Sequence, residues 1–102
     1  MAVIKVDLNN FATEVLKSEK PVLLDMYADW CGPCMMMAPE IEAYSEETDK
    51  VKVCKLNVDD ATDLALTYGV MSIPTLILFD EGKEIKRTIG FIDKEKIETF
   101  ID

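Results

Sequence analysis

Two cysteines, Cys31 and Cys34, enclose Gly32 and Pro33 and lie between an apolar run and a helical pattern. Free backbone N–H groups at a helix N-terminus stabilise a thiolate and lower the pKa of a cysteine placed there. The thiolate is the attacking species in thiol–disulfide exchange. We therefore predict that Cys31, nearest those N–H groups and the surface, attacks a disulfide. Cys34, on the apolar side of the helix, is expected to be more buried and to resolve the mixed disulfide.

Other interpretations of the cysteine pair have less support. Half of a zinc site would need about four ligands, but the chain has no histidine and only one further cysteine, Cys54. A purely structural disulfide in so short a loop would remove little entropy from the unfolded chain. A vestigial dithiol on a scaffold with another use stays open. We expect Cys54 to be a small buried side chain facing away from the dithiol, with a regulatory thiol as the alternative.

Strand and helix patterns alternate along the chain and must position the cysteines. The run over residues 22–27 is apolar except for Asp25, as in a strand buried on both faces. The order β-α-β-α-β-α-β-β-α predicts an α/β fold with a central mixed five-stranded sheet flanked by four helices. We expect parallel pairing, with an antiparallel edge from the last hairpin. The predicted strands cover residues 3–6, 22–27, 51–58, 75–79 and 85–89, and the helices 8–16, 34–47, 59–68 and 93–101.

Three polar or glycine positions are predicted to begin or end helices. A short side-chain oxygen accepts a free N–H of the first turn, so we expect Asn9 or Asn10 to cap the first helix and Asp93 to cap the last. Gly69 is expected to end the third helix. These local signals place the helices between the strands without defining how they pack.

Charge and length limit the class of protein. The 102 residues fit one domain over residues 1–102, with 20 acidic and 11 basic residues and a net charge of −9. Such a surface repels nucleic acid and anionic membranes; a preference for positively charged partners stays open. No basic and long apolar leader follows Met1, and no apolar run is long enough to span a membrane. We expect a cytoplasmic monomer without nucleic acid or membrane partners.

The segment from Asp25 to Cys34, with Trp-Cys-Gly-Pro-Cys at its end, resembles the thioredoxin family. The resemblance extends over essentially the whole chain, in order and with the family's spacing. It implies the thioredoxin fold and a protein-disulfide reductase that works by dithiol–disulfide exchange. Further matching segments are Ala38-Pro39, Lys55-Leu56-Asn57-Val58-Asp59, Tyr68-Gly69-Val70, Ile73-Pro74-Thr75-Leu76 and Ile89-Gly90.

The resemblance also implies roles for residues around the dithiol. Asp25 resembles the family's buried carboxylate, which accepts the Cys34 proton, and Lys55 the lysine that tunes it; a purely structural Asp25 and a surface Lys55 stay open. Pro74 resembles the family's cis-proline, and the backbone before it pairs with the substrate chain. For Trp30, packing is an alternative to substrate contact. The expected docking surface comprises Trp30, Gly32, Pro33, Ile73, Pro74, Gly90 and Phe91.

Partners follow from the same resemblance. It implies disulfide-containing protein substrates and a flavin-dependent thioredoxin reductase that re-reduces the pair. The chain carries no cofactor-binding motif, so we expect no cofactor and no metal, with the Cys31–Cys34 disulfide as the redox group. An oxidase or isomerase is the alternative within this chemistry, although such relatives usually carry a histidine where this chain has Gly32-Pro33. A binding module that is independent of redox state is the alternative from another class.

Several residues depart from the family pattern. Met35 stands where the family often carries a basic residue, Tyr27 replaces a common tryptophan, and Phe91 is bulkier than usual. Met36 and Met37 continue a methionine run that could form an adaptable rim, but we favour simple helix packing, especially for Met37. These departures bear on specificity and leave the dithiol itself unchanged.

Overall fold

The predicted fold class is confirmed by the computed structural model, which describes residues 3–102. Met1 and Ala2, which the predicted domain includes and where a leader would begin, lie outside the described residues. Element bounds differ from the predicted ones mostly by a few residues. In chain order the elements are β1 (Ile4–Val6), a π-helical turn (Ala12–Leu16), β2 (Val22–Tyr27), α1 (Gly32–Glu47), β3 (Lys52–Asn57), α2 (Thr62–Thr67), β4 (Thr75–Asp80), β5 (Lys83–Ile89) and α3 (Lys94–Ile101).

The five strands form one sheet in the order β1-β3-β2-β4-β5. Both β1 and β2 run parallel to β3, whereas β4 is antiparallel to β2 and β5 to β4. The prediction that only the last hairpin adds antiparallel pairing is therefore wrong for β4. Because α2 has only 6 residues, it spans about 9 Å, whereas a strand of that length spans about 20 Å. The helix is too short to return the chain along the whole sheet, and β4 runs the opposite way.

This topology gathers three loops at one edge of the sheet. Tyr27 pairs with Asn57, and Met26 pairs with Thr75, so β2 and β3 end where β4 begins. The loop after β2, the loop after β3 and the loop before β4 all leave the sheet there. We call this the loop edge, and it is where residues far apart in the sequence can meet.

Two apolar layers cover the two faces of the sheet. The α1 layer lies beneath α1 and α3, and the α2 layer lies beneath the π-helical turn and α2. Alternate residues of β2 enter different layers: Leu23 packs in the α1 layer, and Leu24 and Met26 pack in the α2 layer. Since side chains alternate along a strand, Asp25 points towards the α1 layer, on the face covered by the helix that carries the cysteines.

The first helix is shorter than predicted and is capped differently. Only a π-helical turn forms, and neither asparagine caps it. Asn10 instead accepts a hydrogen bond from the Asp7 N–H at 2.7 Å and donates to the Lys5 carbonyl at 3.1 Å, so its side chain holds the preceding turn. The cap of α3 is confirmed, because the Asp93 carboxylate accepts the Lys96 N–H at 3.0 Å.

Candidate active site

Cys31 and Cys34 form a disulfide at the start of α1, with their Cα atoms 5.2 Å apart. The Sγ atom of Cys31 caps the helix, since it accepts a hydrogen bond from the Cys34 N–H at 3.2 Å. Pro33 lies in the first turn, where a missing N–H costs nothing. Cys34 is 2% exposed and Cys31 is 5% exposed. Cys34 is the more buried, as predicted, but only narrowly, and Cys31 does not lie open to solvent.

The loop before β4 packs directly against the cysteines. The carbonyl oxygen of Ile73 lies 3.7 Å from the Cys31 Sγ, and the Ile73–Pro74 peptide bond is cis. The Pro74 carbonyl accepts the Gly90 N–H at 2.8 Å, which ties the end of β5 to this loop. Ile73 and Tyr27 both pack against the cluster that contains the cysteine pair. Two segments predicted to form one surface, around Ile73 and around Gly90, are thus joined beside the dithiol.

Asp25 is a buried carboxyl on the face of the sheet that α1 covers. It is 5% exposed, and its Oδ1 atom has no hydrogen-bond partner among the described residues. Burial raises the pKa of Asp25 from 3.8 to about 7. The positive charge of Lys55, which pairs with Asp25 from the neighbouring strand β3, opposes part of that rise. A carboxyl with this pKa can take up and release a proton near neutral pH.

The remaining predicted docking residues differ in how open they are. Trp30 is 71% exposed and Phe91 is 44% exposed. Gly32 and Pro33 are also exposed, whereas Ile73 and Gly90 are half-buried. Pro74 is buried, so it can shape the surface but offers little contact area of its own.

Asp59 is a site residue that sequence reasoning missed. Its carboxylate accepts a hydrogen bond from the Trp30 Nε1 at 2.9 Å, and its own N–H donates to the Asn57 side chain at 2.9 Å. The indole is therefore tied to the loop after β3 by this hydrogen bond. The sequence predicted that Asp59 opens the third helix, which begins only at Thr62, and nothing in that pattern pointed to Trp30.

An apolar groove runs beside the dithiol along the loop edge. Its cavity volume is about 350 Å³, and Trp30 and Ile73 form the wall nearest the cysteines. Met71 and Leu66, 96% and 78% exposed, were not predicted to belong to the site. The full lining comprises Trp30, Val58, Asp59, Thr62, Ala65, Leu66, Val70, Met71 and Ile73.

The third cysteine and the methionine run differ in how far packing explains them. Cys54 is fully buried in the α2 layer, away from the dithiol, as predicted, and burial raises its pKa to about 11. Met37 is fully buried in the α1 layer. Met36 is 66% exposed, so the preference for simple helix packing is wrong for this residue. Met35 is 43% exposed.

The described residues contain neither a metal-binding cluster nor a long apolar helix. Within residues 3–102, no group of three or more His, Cys, Asp or Glu side chains is placed to hold a metal ion. None of the helices in that part of the chain has the length and apolar character needed to cross a membrane.

Comparison with known proteins agrees with this geometry. The family model described as thioredoxin matches residues 2–102. A thioredoxin from Alicyclobacillus acidocaldarius subsp. acidocaldarius is 50% identical over 86 residues, which cover 83% of this chain and 82% of that protein. A thioredoxin from Acidithiobacillus ferridurans is 41% identical over 102 residues, covering 99% and 94% of the two chains. Thioredoxin M5, chloroplastic, from Oryza sativa subsp. japonica is 43% identical over 101 residues, covering 98% of this chain but 59% of its own length. The chain belongs to the thioredoxin family.

Proposed function

We propose a residue-by-residue mechanism for the dithiol–disulfide exchange that this oxidoreductase carries out. In the reduced protein, the Cys31 thiolate attacks one sulfur of a substrate disulfide, and the other substrate sulfur leaves as a thiolate. Cys34, once deprotonated, attacks Cys31 in the mixed disulfide. The Cys31–Cys34 disulfide forms, and the substrate leaves with both sulfurs reduced. Two electrons pass from the protein to the substrate.

The position of Cys31 at the N-terminus of α1 is the observation that carries this assignment. The Cys34 N–H points at the Cys31 Sγ from 3.2 Å. This donor and the partial positive charge of the helix end both favour a thiolate over a thiol. Cys34 lies in the first turn of α1 and is 2% exposed. The hydrogen bond from its N–H stabilises the sulfur of Cys31 and not its own, so Cys34 suits the resolving step.

Asp25 is proposed as the group that accepts the Cys34 proton, with Lys55 tuning it. Its carboxyl lies on the face beneath α1, and its pKa of about 7 lets it act as a base near neutral pH. The unpaired Oδ1 leaves a lone pair free for that proton or for an intervening water. Lys55 keeps the pKa of Asp25 from rising further, because its positive charge favours the carboxylate.

Substrate is proposed to dock across the exposed part of the loop edge. The Ile73 carbonyl beside the Cys31 sulfur suits main-chain pairing with an extended substrate segment. Trp30 and Phe91 offer open apolar surface on either side. Gly32, Pro33 and Gly90 present no bulky side chain, which allows close approach, and Pro74 shapes the loop from below.

We further propose that the cellular partners are disulfide-bearing proteins and a thioredoxin reductase, without a prosthetic group in this chain. The exchange needs only thiols, because the reductase supplies the electrons. We propose that residues 1–102 form one domain that acts as a monomer in the cytoplasm, away from nucleic acid and membranes. One relative is chloroplastic, so cell fractionation of the native protein is the test of location.

A redox titration tests the mechanism. Trp30 is the only tryptophan and adjoins Cys31, so its fluorescence is expected to report the state of the pair in dithiothreitol buffers of graded potential. We expect a single two-electron transition in the strongly reducing range. The double variant Cys31→Ser/Cys34→Ser is the control and should show none. A much more oxidising midpoint would favour an oxidase or isomerase. Absence of a transition, with both thiols chemically confirmed, would contradict the mechanism and favour a redox-independent binding module.

A further inference from the structure

Met71 is the most exposed large apolar side chain among the described residues. It is 96% exposed, whereas Met36 is 66%, Met35 is 43%, and Met26 and Met37 are fully buried. A side chain this open gains almost nothing from packing in the folded protein. Its apolar surface is open for a bound partner to cover.

The place of Met71 in the fold suggests what covers it. Met71 lines the same groove of about 350 Å³ as Trp30 and Ile73, and the Ile73 carbonyl lies 3.7 Å from the Cys31 sulfur. A substrate chain that reaches the cysteine along this loop passes over the groove. Met71 would then be partly buried only while the substrate is bound.

We propose that Met71 is a peroxide-sensitive modification site, at which oxidation to the sulfoxide weakens docking of protein disulfides without disturbing the fold. This inference rests on the docking surface proposed above. It adds a second redox-responsive group to the loop edge, one that changes the affinity for substrate and leaves the dithiol intact.

The oxidation balances with hydrogen peroxide as its one co-reactant. The Met71 sulfur attacks one oxygen of hydrogen peroxide, the O–O bond breaks, and an S–O bond forms. The thioether loses two electrons to the peroxide, and hydroxide departs. The hydroxide then takes the proton from the new S–OH group, which leaves the sulfoxide and water. The product is a polar, chiral sulfoxide in place of a flexible apolar side chain.

Burial and the disulfide protect several other oxidisable groups from this reaction, whereas Met71 is the most exposed methionine of the described residues. Met26 and Met37 are shielded in the two apolar layers. Cys54 is buried as well, and burial raises its pKa to about 11, which keeps it in the unreactive thiol form. When Cys31 and Cys34 are joined as the disulfide, they offer no thiolate to the peroxide.

The experiment begins with the full-length protein in its disulfide form. Hydrogen peroxide is added and then removed, peptide mass mapping locates the added oxygen, and dithiothreitol regenerates the dithiol before insulin reduction is measured. We expect Met71 to be oxidised well before Met26 and Met37. We expect kcat/KM for insulin to fall by about threefold to tenfold, the range for losing part of one methionine's apolar contact. Treatment with methionine sulfoxide reductases should restore it.

Two variants separate Met71 from the other exposed methionines. In Met71→Leu, the ratio of kcat/KM after and before peroxide should stay near one, whereas Met36→Leu should lose as much activity as the wild type. Equal losses in Met71→Leu and wild type would overturn the proposal, as would full oxidation of Met71 with unchanged kcat/KM in an active protein. If the untreated protein fails to reduce insulin, the proposed function fails first and this inference fails with it.

Discussion

Replacing Asp25 with asparagine should make the protein more stable, by an amount that depends on pH. The carboxyl is 5% exposed, with one oxygen unpaired, and its pKa in the folded protein is about 7 against 3.8 for an ordinary aspartate. An acid whose pKa is raised on folding binds protons more tightly in the folded state. Ionisation of Asp25 above neutral pH therefore works against folding, and asparagine removes that ionisation while keeping the shape.

The size of the effect follows from the difference between the two pKa values. Below pH 3.8 both folded and unfolded states are protonated, and the carboxyl contributes no penalty. Between pH 3.8 and 7 the unfolded state ionises first, and the penalty grows by about 1.4 kcal/mol per pH unit. Above pH 7 both states are ionised, and the penalty levels off at about 4 kcal/mol for a difference of about three pH units.

Guanidinium unfolding of the disulfide form at intervals from pH 3.5 to 9 measures this effect. The quantity of interest is the unfolding free energy of Asp25→Asn minus that of the wild type. Any fixed cost of the buried amide is the same at every pH, so it shifts the curve without changing its slope. Asp49→Asn, at an exposed position, serves as the matched control for the loss of one negative charge.

The shape of the difference curve decides the matter. We expect it to be level near pH 3.5, to rise through pH 4 to 7, and to reach a plateau about 4 kcal/mol higher by pH 8. A flat difference over the whole range would refute the reasoning, because it would mean that Asp25 ionises as readily in the folded protein as in the unfolded chain. Its proposed role as a proton acceptor near neutral pH would then lose its physical basis.

Three further perturbations test other parts of the structure. Cys34→Ser should stop the exchange at the mixed disulfide. A covalent complex with substrate should therefore accumulate, be visible on non-reducing gels and disappear when dithiothreitol reduces it. Lys55→Met removes the positive charge that lowers the pKa of Asp25. When the effect of Asp25→Asn is measured in this background, the difference curve should therefore reach its plateau at a higher pH. Gly82→Ala should lower the unfolding free energy by more than about 1 kcal/mol, because φ is +79° and the new Cβ would lie 2.9 Å from the Leu16 carbonyl oxygen.

Each of these has a control within the chain. Cys31→Ser/Cys34→Ser should form no covalent complex, and a complex in that variant would mean that Cys54 reacts. Exchange of Lys5, on the outer strand β1, for methionine controls for loss of a lysine; an equal shift there would contradict a specific action of Lys55. Gly32→Ala meets nothing within 4 Å, so an equal loss of stability in it would contradict the argument from close approach at Gly82.

The fold could be predicted largely because its elements have local signatures. The apolar run of β2 and the Asp93 cap depend on residues that are neighbours in the chain, and both lie where expected. The first helix was mispredicted for a related reason. The Asn10 side chain could either cap the helix or hold the preceding turn. The structure shows it hydrogen-bonded to the Asp7 N–H and the Lys5 carbonyl, and apolar periodicity gives no information on that choice.

The chemistry of the site was also readable in part from the sequence. Cys31 and Cys34 are close because they lie within one turn, and a helix after them makes Cys31 its cap whatever the rest of the chain does. Asp25 stood out because it interrupts an apolar strand, which already implied burial. The extent to which burial raises its pKa could be learned only from the surrounding structure, including the position of Lys55 on the neighbouring strand β3.

The sequence by itself thus determined the dithiol, the helix that activates it and the order of strands and helices, since each depends on short stretches of chain. Tertiary structure alone decided that β4 runs antiparallel to β2, that Asp59 holds Trp30, and that Met71 lines a groove beside the Ile73 carbonyl. These features depend on which strand ends share an edge of the sheet. That arrangement results from the packing of the whole chain, and no local pattern of residues encodes it.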